Sequence, residues 1–295
     1  MSAAALPLAD PAWKGSVRLA PKAAKAIAAT ATACLRLEVE TWPKPGLVSH
    51  VDTGSHVDMN ADTFRASAAA IEPFFQALAE AGGDGAAMGR LRLIGLEAEA
   101  AMFAATSGIN THRGAIFGLG LLCAAAGAVA AGRMNAEDSL GSVVTRLWGR
   151  GIIDGPVLLH SHGSHASRRY GAGGARREAA LGFPTIYATG LPALRRRANG
   201  DAEAARVEAC FALISVLEDT NLLHRGGIAG LRFAQRSARA FIEGGGTARA
   251  DWRAKAASVH RSFVARRLSP GGSADLLAMS LFVDALERHP APCSA

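Results

Sequence analysis

The chain has 295 residues and a mass of 30.4 kDa, and 49% of its residues are hydrophobic, so it can bury a substantial core. This composition excludes a disordered or fibrous chain. The 32 basic and 25 acidic residues give a net charge of +7, which favours an anionic partner because arginine pairs well with phosphate oxygens. With 33 glycines, abundant alanine and 6% aromatic residues, the chain is expected to form closely packed helices rather than a sheet.

The chain begins with an Ala/Pro-rich stretch that lacks the basic start and apolar run of a secretion signal. We therefore expect a loosely ordered arm over residues 1–20, a single catalytic helical domain over residues 21–290, and a cytoplasmic location. The four cysteines are far apart and form no CxxC pair, so neither a disulfide framework nor a zinc knuckle is expected.

Helical runs dominate the rest of the chain and predict an all-α, multi-helix bundle with its active site in the loops between helices. Asp84, Asn135 and Asp201 are placed to cap the helices that follow them, and Pro73 should kink or delay the second helix. Three glycines are placed for left-handed turns at helix C-termini, namely Gly82, Gly108 and Gly132. The predicted helices are 22–42, 63–81, 86–107, 114–131, 136–150, 176–181, 202–218, 228–243, 251–267 and 273–287.

The segment 114–132 carries no charge and is nearly long enough to cross a bilayer. It consists mostly of alanine and glycine, which contribute little to membrane insertion. We therefore expect a buried core helix here rather than a membrane span.

The first polar segment, residues 43–59, contains two prolines that stiffen the loop and two glycines that allow close approach to a ligand. It presents His56 together with Asp52 and Asp58, whose oxygens suit the Mg²⁺ carried by a nucleotide. A Pro-Gly connector with capping aspartates is the alternative interpretation.

The second polar segment, residues 108–114, leads into the uncharged helix. Asn110 or Thr111 can cap that helix, whose free amides and positive dipole end, together with Arg113, indicate a phosphate site. Glu99 on the preceding helix can point toward the same place, or it can be an ordinary surface carboxylate.

The third polar segment, residues 170–178, is a glycine-dense turn that opens a short helix near Arg176, a pattern suited to phosphates. It lacks the closing residues of a Walker A loop and the GxGxxG spacing of a dinucleotide fold. Three histidines precede it with a spacing that matches no zinc-ligand frame, namely His160, His162 and His165.

The fourth polar segment, residues 218–227, follows an apolar helix. Asp219 and Asn221 could ligate a metal or orient a hydroxyl group, while His224 and Arg225 could neutralise phosphate charge. A simple helix–helix turn is the alternative.

The fifth polar segment, residues 269–275, has the pattern of an ordinary helix start. Ser273 is placed as the cap, and Asp275 lies favourably near the positive end of the helix dipole.

Taken together, the five segments resemble the triphosphoribosyl-dephospho-coenzyme A synthase family, which makes the prosthetic-group precursor of citrate lyase and malonate decarboxylase. The motifs PKPGLV, GSHVDM, NTHRGAIF, YGAGGARREA, EDTNLLHRGG and SPGGSADLLA occur in the family's order over almost the whole chain. The resemblance implies an all-helical, Mg²⁺-dependent enzyme. Its reaction transfers the triphosphoribosyl unit of ATP to the ribose 2′-hydroxyl of 3′-dephospho-coenzyme A and releases adenine.

The resemblance also implies roles for the residues at the motif positions. The implied catalytic residues are His56, Asp58, Glu99, His112 and Asp219. Of these, the three carboxylates are also candidates for holding Mg²⁺, and the base is left open among His56, His112 and Asp219. The residues implied to bind the substrates are Lys44, Asn110, Thr111, Arg113, Tyr170, Gly173, Gly174, Arg176, Asn221, His224 and Arg225. Glu178 and Asp275 are further motif positions.

Two positions depart from the family's pattern. Arg113 stands where lysine is usual, which keeps the charge and changes its geometry. Ser49 follows PGLV where many members have aspartate, so a metal-binding role for this position is in doubt. Asp52 and Asp58 become the candidates for that role instead. The serine is more similar to the malonate decarboxylase branch than to the citrate lyase branch.

Two other functions are compatible with the composition. A nucleic-acid binder would account for the pI of about 9.7, but the basic residues are scattered and their only run is 195–197. A Mg²⁺-dependent hydrolase of nucleotides or ADP-ribose conjugates would use similar carboxylates and phosphate sites. We expect small-molecule substrates and neither a nucleic-acid nor a membrane partner. The sequence leaves open whether the chain forms a homodimer. The central expectation is that the distant loops meet in one cationic cup.

Overall fold

The computed structural model describes residues 18–156, 168–196 and 200–288. Within these ranges the chain is helical and contains no strand, which confirms the predicted all-α fold. The division into an arm over residues 1–20 and a catalytic domain over residues 21–290 stays a prediction. The helices, numbered here along the chain, are α1 (Pro21–Val39), α2 (Ala61–Gly83), α3 (Met88–Ala105), α4 (Arg113–Ala130), α5 (Leu140–Asp154), α6 (Gly174–Ala180), α7 (Leu191–Arg196), α8 (Ala202–Val216), α9 (Thr220–Glu243), α10 (Trp252–Ala265) and α11 (Gly271–Arg288).

Helix α4 is the centre of the core and packs against α1, α2, α3, α5, α6 and α11. Small residues let α2 and α4 approach closely. A Cβ added at Gly82 would lie 1.9 Å from the carbonyl oxygen of Ala124, and one added at Gly127 would lie 1.9 Å from that of Ala79. The abundance of alanine and glycine therefore serves helix packing at van der Waals contact.

The burial of α4 agrees with the core helix expected from its sequence. It is the one helix in the described part of the chain that is long and apolar enough to cross a membrane, and 72% of it is buried inside the molecule. Its N-terminal end emerges from the core at the second polar segment and carries the residues of that segment to the surface of a cavity.

Several local predictions need correction. Helix α2 runs through Pro73 because buried residues on both sides of the proline pack against neighbouring helices. Asp84 ends α2 instead of capping α3, and Ser139 caps α5 in place of Asn135. The cap at Asp201 is confirmed. Of the three glycines, Gly108 and Gly132 adopt a left-handed conformation, whereas Gly82 lies inside α2.

The fourth polar segment is helical rather than a turn. Asp219 caps α9 by accepting hydrogen bonds from the amides of Asn221 and Leu222, so this helix begins eight residues earlier than predicted. The backbone breaks at Gly227, where φ is +58°, and continues as a second helical stretch. The sequence analysis also missed the helical residues 186–196.

Candidate active site

A cavity of about 350 Å³ lies between the loop after α1 and the N-terminal ends of α2, α4, α9 and α11. It brings together residues from four of the five polar segments, and among the described residues the third segment does not contribute to its lining. The polar lining residues are Glu38, His56, Asp58, Asn110, Thr111, His112, Arg113, Asn221, His224, Arg225, Ser269 and Asp275. The larger apolar lining residues are Leu35, Leu47, Val48, Met59 and Phe64.

The N-terminal end of α4 meets the first turn of α11 at one edge of the cavity. The Asn110 side chain accepts a hydrogen bond from the Arg113 amide over 3.2 Å, as expected of a capping residue. A Cβ added at Gly114 would lie 2.0 Å from Oδ2 of Asp275, so only glycine allows this approach. The carboxylate of Asp275, which accepts a hydrogen bond from the Ala115 amide, therefore lies where the sequence predicted a phosphate.

Arg113 connects this helix end to α3. Its Nε donates to Oε2 of Glu99 over 2.8 Å, and its guanidinium lies 5.3 Å from the centre of the Phe103 ring. Glu99 does not line the cavity itself. It therefore orients the arginine that does.

A second cationic group is built around Arg225. Its guanidinium donates to the carbonyl oxygens of Ser55 and Arg267, each over 3.2 Å, and to Nδ1 of His56 over 3.2 Å. The other ring nitrogen of His56 lies 2.9 Å from the Ser269 hydroxyl. Burial, reinforced by the Arg225 charge, lowers the pKa of His56 to about 4, so this imidazole is neutral at physiological pH.

Asp58 is the exposed carboxylate at the cavity. Its Oδ1 lies 3.7 Å from Nδ1 of His56, and its side chain is 57% exposed. A carboxylate that lies at the rim and keeps most of its hydration can bind a cation brought in by a substrate.

His112 lies buried at the start of α4. Its Nδ1 is 2.7 Å from the Ser67 hydroxyl, and that hydroxyl also accepts a hydrogen bond from Thr111 over 2.7 Å. Burial, with a smaller contribution from Lys44, lowers the pKa of His112 to about 3. The Nε2 atom has no hydrogen-bond partner among the described residues.

Glu38 on α1 is a cavity residue that the sequence analysis missed. It is buried, and its carboxylate pairs with the fully buried ammonium group of Lys44, which also donates to the Glu38 carbonyl oxygen over 2.6 Å. Burial raises the pKa of Glu38 while Lys44 acts to lower it. Lys44 itself lies behind Glu38 and does not line the cavity.

Asp275 shares this acidic side of the cavity. Burial raises the pKa of its carboxyl group well above the usual value, and the negative charges of Glu38 and Asp219 add to the increase. The carboxyl groups of Glu38 and Asp275 thus both line the cavity, and their buried surroundings disfavour the simultaneous ionisation of the two.

Asp219 holds two helix starts together instead of lining the cavity. Besides capping α9, its Oδ2 accepts hydrogen bonds from the amide and the hydroxyl of Ser273 in α11, over 2.9 and 3.1 Å. Burial raises its pKa and these hydrogen bonds lower it. With donors on both oxygens, this carboxylate positions Asn221 and Asp275 at the ends of their helices.

The third polar segment has structural contacts. Arg176 donates to the carbonyl oxygens of Ile152, Ile153, Gly155 and Pro156 and thereby caps the C-terminal end of α5. Glu178 accepts hydrogen bonds from the amide and the hydroxyl of Thr185. Tyr170, Gly173 and Gly174 lie outside the cavity lining, and His160, His162 and His165 lie outside the described residues.

Asp52, considered for a metal role, and Ser49, which stands where the family's pattern has aspartate, also have structural partners. Asp52 accepts from the Gly54 amide over 2.9 Å and lies 3.2 Å from Nε2 of His260. The Ser49 hydroxyl accepts from the Val51 amide over 3.2 Å. Across the described ranges, no three His, Cys, Asp or Glu side chains come close enough together to hold a metal ion.

Comparison with known proteins gives a consistent result. The family model described as ATP:dephospho-CoA triphosphoribosyl transferase matches residues 24–293. A protein of Stutzerimonas stutzeri named probable 2-(5''-triphosphoribosyl)-3'-dephosphocoenzyme-A synthase is 40% identical over 279 residues, which cover 91% of this chain and 94% of the relative. Proteins with the same name from Azotobacter vinelandii and Pseudomonas aeruginosa are each 43% identical, over 90% and 84% of this chain and 93% and 86% of the relatives. No solved structure matches the chain.

Proposed function

Because the chain belongs to the ATP:dephospho-CoA triphosphoribosyl transferase family and is thus a transferase, we propose that it transfers the 5-triphosphoribosyl group of ATP to the 2′-hydroxyl of 3′-dephospho-coenzyme A and releases adenine. The observation that carries this proposal is the single cavity to which four distant motif segments contribute. The substrates are inferred from the names of the relatives, and the side chains that line the cavity are suited to bind them.

The cavity lining contains both apolar and charged side chains. Leu35, Val48 and the aromatic ring of Phe64 offer a surface on which a purine base can pack. Arg113, Arg225 and His224 offer donors to phosphate oxygens. We therefore assign the adenine of ATP to these apolar residues and its triphosphate to the arginines.

The reaction breaks the bond between the ribose C1 atom of ATP and adenine N9, and the electron pair leaves with adenine. The 2′-oxygen of the acceptor bonds to the same carbon and gives up its proton. Because positive charge develops on the sugar, an anionic group beside it lowers the barrier. Glu38, which Lys44 holds in place, is the carboxylate that we assign to this role.

A base must take the proton of the 2′-hydroxyl. Both ring nitrogens of His56 have partners, and both oxygens of Asp219 accept hydrogen bonds, so neither is well placed to act. Asp275 lines the cavity, and in its ionised form the raised pKa makes this carboxylate a better proton acceptor than an ordinary aspartate. We therefore assign the base to Asp275.

The lining also fits a requirement for Mg²⁺. The described lining offers two arginines beside the exposed carboxylate of Asp58, and the negative charge of a triphosphate exceeds what two arginines neutralise, so additional positive charge is needed there. Mg²⁺ usually binds through one or two carboxylates together with substrate phosphates, and the exposed Asp58 is suited to this. When bound, Mg²⁺ would neutralise charge on the phosphates.

A magnesium titration tests this assignment. Asp58→Asn is expected to require at least about tenfold more Mg²⁺ for half-maximal activity and to have a lower kcat. Asp62→Asn removes an exposed carboxylate of α2 outside the cavity lining and serves as the control. Equal magnesium requirements in wild type and Asp58→Asn would exclude Asp58 as a ligand.

Product analysis tests the function itself. The protein is mixed with ATP, Mg²⁺ and 3′-dephospho-coenzyme A, and the products are identified by mass spectrometry. We expect adenine together with an acceptor that carries a triphosphoribosyl group. Adenine with free ribose triphosphate and an unmodified acceptor would show a hydrolase instead.

We further propose that the product serves malonate decarboxylase and that the enzyme acts in the cytoplasm. Ser49 supports the malonate branch through the resemblance described in the sequence analysis. In a host whose own enzyme is deleted, this chain should restore growth on malonate. Restored use of citrate without growth on malonate would contradict the assignment.

A further inference from the structure

A buried chain of hydrogen bonds leads away from the cavity through Thr111, Ser67 and His112. The Thr111 hydroxyl donates to the Ser67 oxygen over 2.7 Å, and the Ser67 oxygen lies 2.7 Å from Nδ1 of His112. Ser67 is fully buried on α2, where its side chain has no other hydrogen-bond partner among the described residues. It belongs to none of the five polar segments.

The hydrogen-bond chain from Thr111 through Ser67 favours one protonated form of the imidazole. With Thr111 as the donor to Ser67, the proton of Ser67 is directed to Nδ1 of His112, and Nδ1 accepts it in its unprotonated form. In a neutral imidazole the proton is consequently on Nε2. The Phe64 ring lies edge-on to the imidazole, with 5.0 Å between ring centres, and restricts its plane.

The Nε2–H group then has no acceptor within the described protein. It is buried, and His112 is one of the residues that line the cavity. Buried N–H groups in native proteins nearly always have a partner, so a ligand in the cavity is the natural acceptor.

We propose that Ser67 is a positioning residue that holds His112 in the Nε2-protonated form, and that His112 uses this N–H to donate a hydrogen bond to an acceptor atom of the bound nucleotide. His112 thus acts as a neutral donor and not as the base of the reaction. The assignment of the ligand rests on the proposed function, whereas the form of the imidazole does not.

Nitrogen-15 NMR of histidine-labelled protein tests the form of the imidazole without turnover. The His112 signals are identified by their loss in His112→Gln. In the wild type at neutral pH we expect a pyridine-like Nδ1 and a pyrrole-like Nε2. In Ser67→Ala the Nδ1-protonated form should gain roughly fivefold in population, because one hydrogen bond that selects against it is lost.

Ser280→Ala is the matched control. Ser280 is equally buried on a helix, but its hydroxyl donates to the carbonyl oxygen of Leu276 in the same helix. This variant should show the wild-type signals. A pyrrole-like Nδ1 in the wild type, or equal populations in wild type and Ser67→Ala, would overturn the proposal. If Ser67→Ala does not fold, the wild-type spectrum by itself tests the proposed form of the imidazole.

Two further measurements address the ligand. Addition of ATP and Mg²⁺ without acceptor should shift the Nε2–H signal, and an unchanged signal would overturn the donor role. In the enzyme assay we expect Ser67→Ala to lower kcat/KM roughly tenfold and Ser280→Ala to change it less than about twofold. A wild-type chain that releases no adenine would refute the proposed function, while the NMR result for Ser67 would still stand.

Discussion

Arg113 and Glu99 form an ion pair across 2.8 Å that joins the first residue of α4 to α3 at the edge of the cavity. The arginine faces the cavity and the glutamate stands behind it. The sequence left open whether Glu99 is an ordinary surface carboxylate, and the ion pair shows that it orients Arg113 at the cavity.

Replacement of Arg113 by alanine should raise the KM for ATP roughly tenfold or more, because a charged hydrogen-bond donor to phosphate is lost. The effect should fall mainly on KM and leave the fold intact. Steady-state kinetics with ATP as the varied substrate provide the measurement. Arg249→Ala removes an arginine from a surface ion pair with Asp251 and should leave KM unchanged. An unaltered KM in Arg113→Ala would contradict the assignment.

The buried pair of Lys44 and Glu38 predicts a large effect on stability. Lys44→Met should lower the free energy of unfolding by about 3–5 kcal/mol, because Glu38 is left as an unpaired buried carboxylate. The double variant Lys44→Met/Glu38→Leu should recover most of this stability and remain inactive, since it lacks the carboxylate of the cavity. Urea denaturation measures the first effect and adenine release the second, with the exposed Lys22→Met as control. Full activity of the double variant would contradict the role of Glu38.

A variant of Arg176 distinguishes two roles: substrate binding, which the resemblance implies, and capping of α5, which the structure indicates. Its guanidinium binds four carbonyl oxygens at the end of α5, so Arg176→Ala should lower the free energy of unfolding by about 1–3 kcal/mol. The KM for ATP should stay within about twofold of the wild-type value. The neighbouring exposed Arg177→Ala is the control. A raised KM with unchanged stability would restore the phosphate-binding role.

The low pKa of His112 predicts a loss of stability in acid. The folded state keeps this imidazole neutral down to a pH of about 3, whereas the unfolded chain protonates it below a pH of 6.5. The unfolded state therefore binds more protons between these values, and the contribution of His112 to stability falls as the pH falls through this window. Between pH 7 and pH 5 the loss amounts to about 2 kcal/mol from this residue.

Urea denaturation of wild type and His112→Gln at both pH values checks this prediction. The variant should lose about 2 kcal/mol less than the wild type on acidification, since it lacks the titrating group. His50→Gln, which removes an exposed imidazole, is the control. Equal losses in wild type and His112→Gln would show that His112 is not held neutral by the fold.

The sequence predicted the fold class and the meeting of four of the five motif segments, whereas the third segment lies outside the cavity lining. Runs of small apolar residues predicted close helix packing, and polar residues gathered at helix ends predicted a site built from loops. The Asp219 cap and the early start of α9 could also have been predicted, since an aspartate before a helical run is a known capping signal.

Other features depend on contacts between distant residues. Glu38 has the sequence context of a surface glutamate, and only the fold buries it against Lys44 and turns it toward the cavity. Arg176 follows a glycine-rich turn that is typical of phosphate sites, yet the end of α5 lies within its reach. Ser67 lies inside an ordinary helix, and its link to His112 arises from the packing of α2 against α4.

The central claim is that the cavity joins the ribose of ATP to the hydroxyl of a second nucleotide. The most direct measurement is the rate of adenine release from ATP with and without 3′-dephospho-coenzyme A. We predict that release requires the acceptor and that one modified acceptor forms for each adenine. Release of adenine at the same rate without the acceptor would contradict the claim.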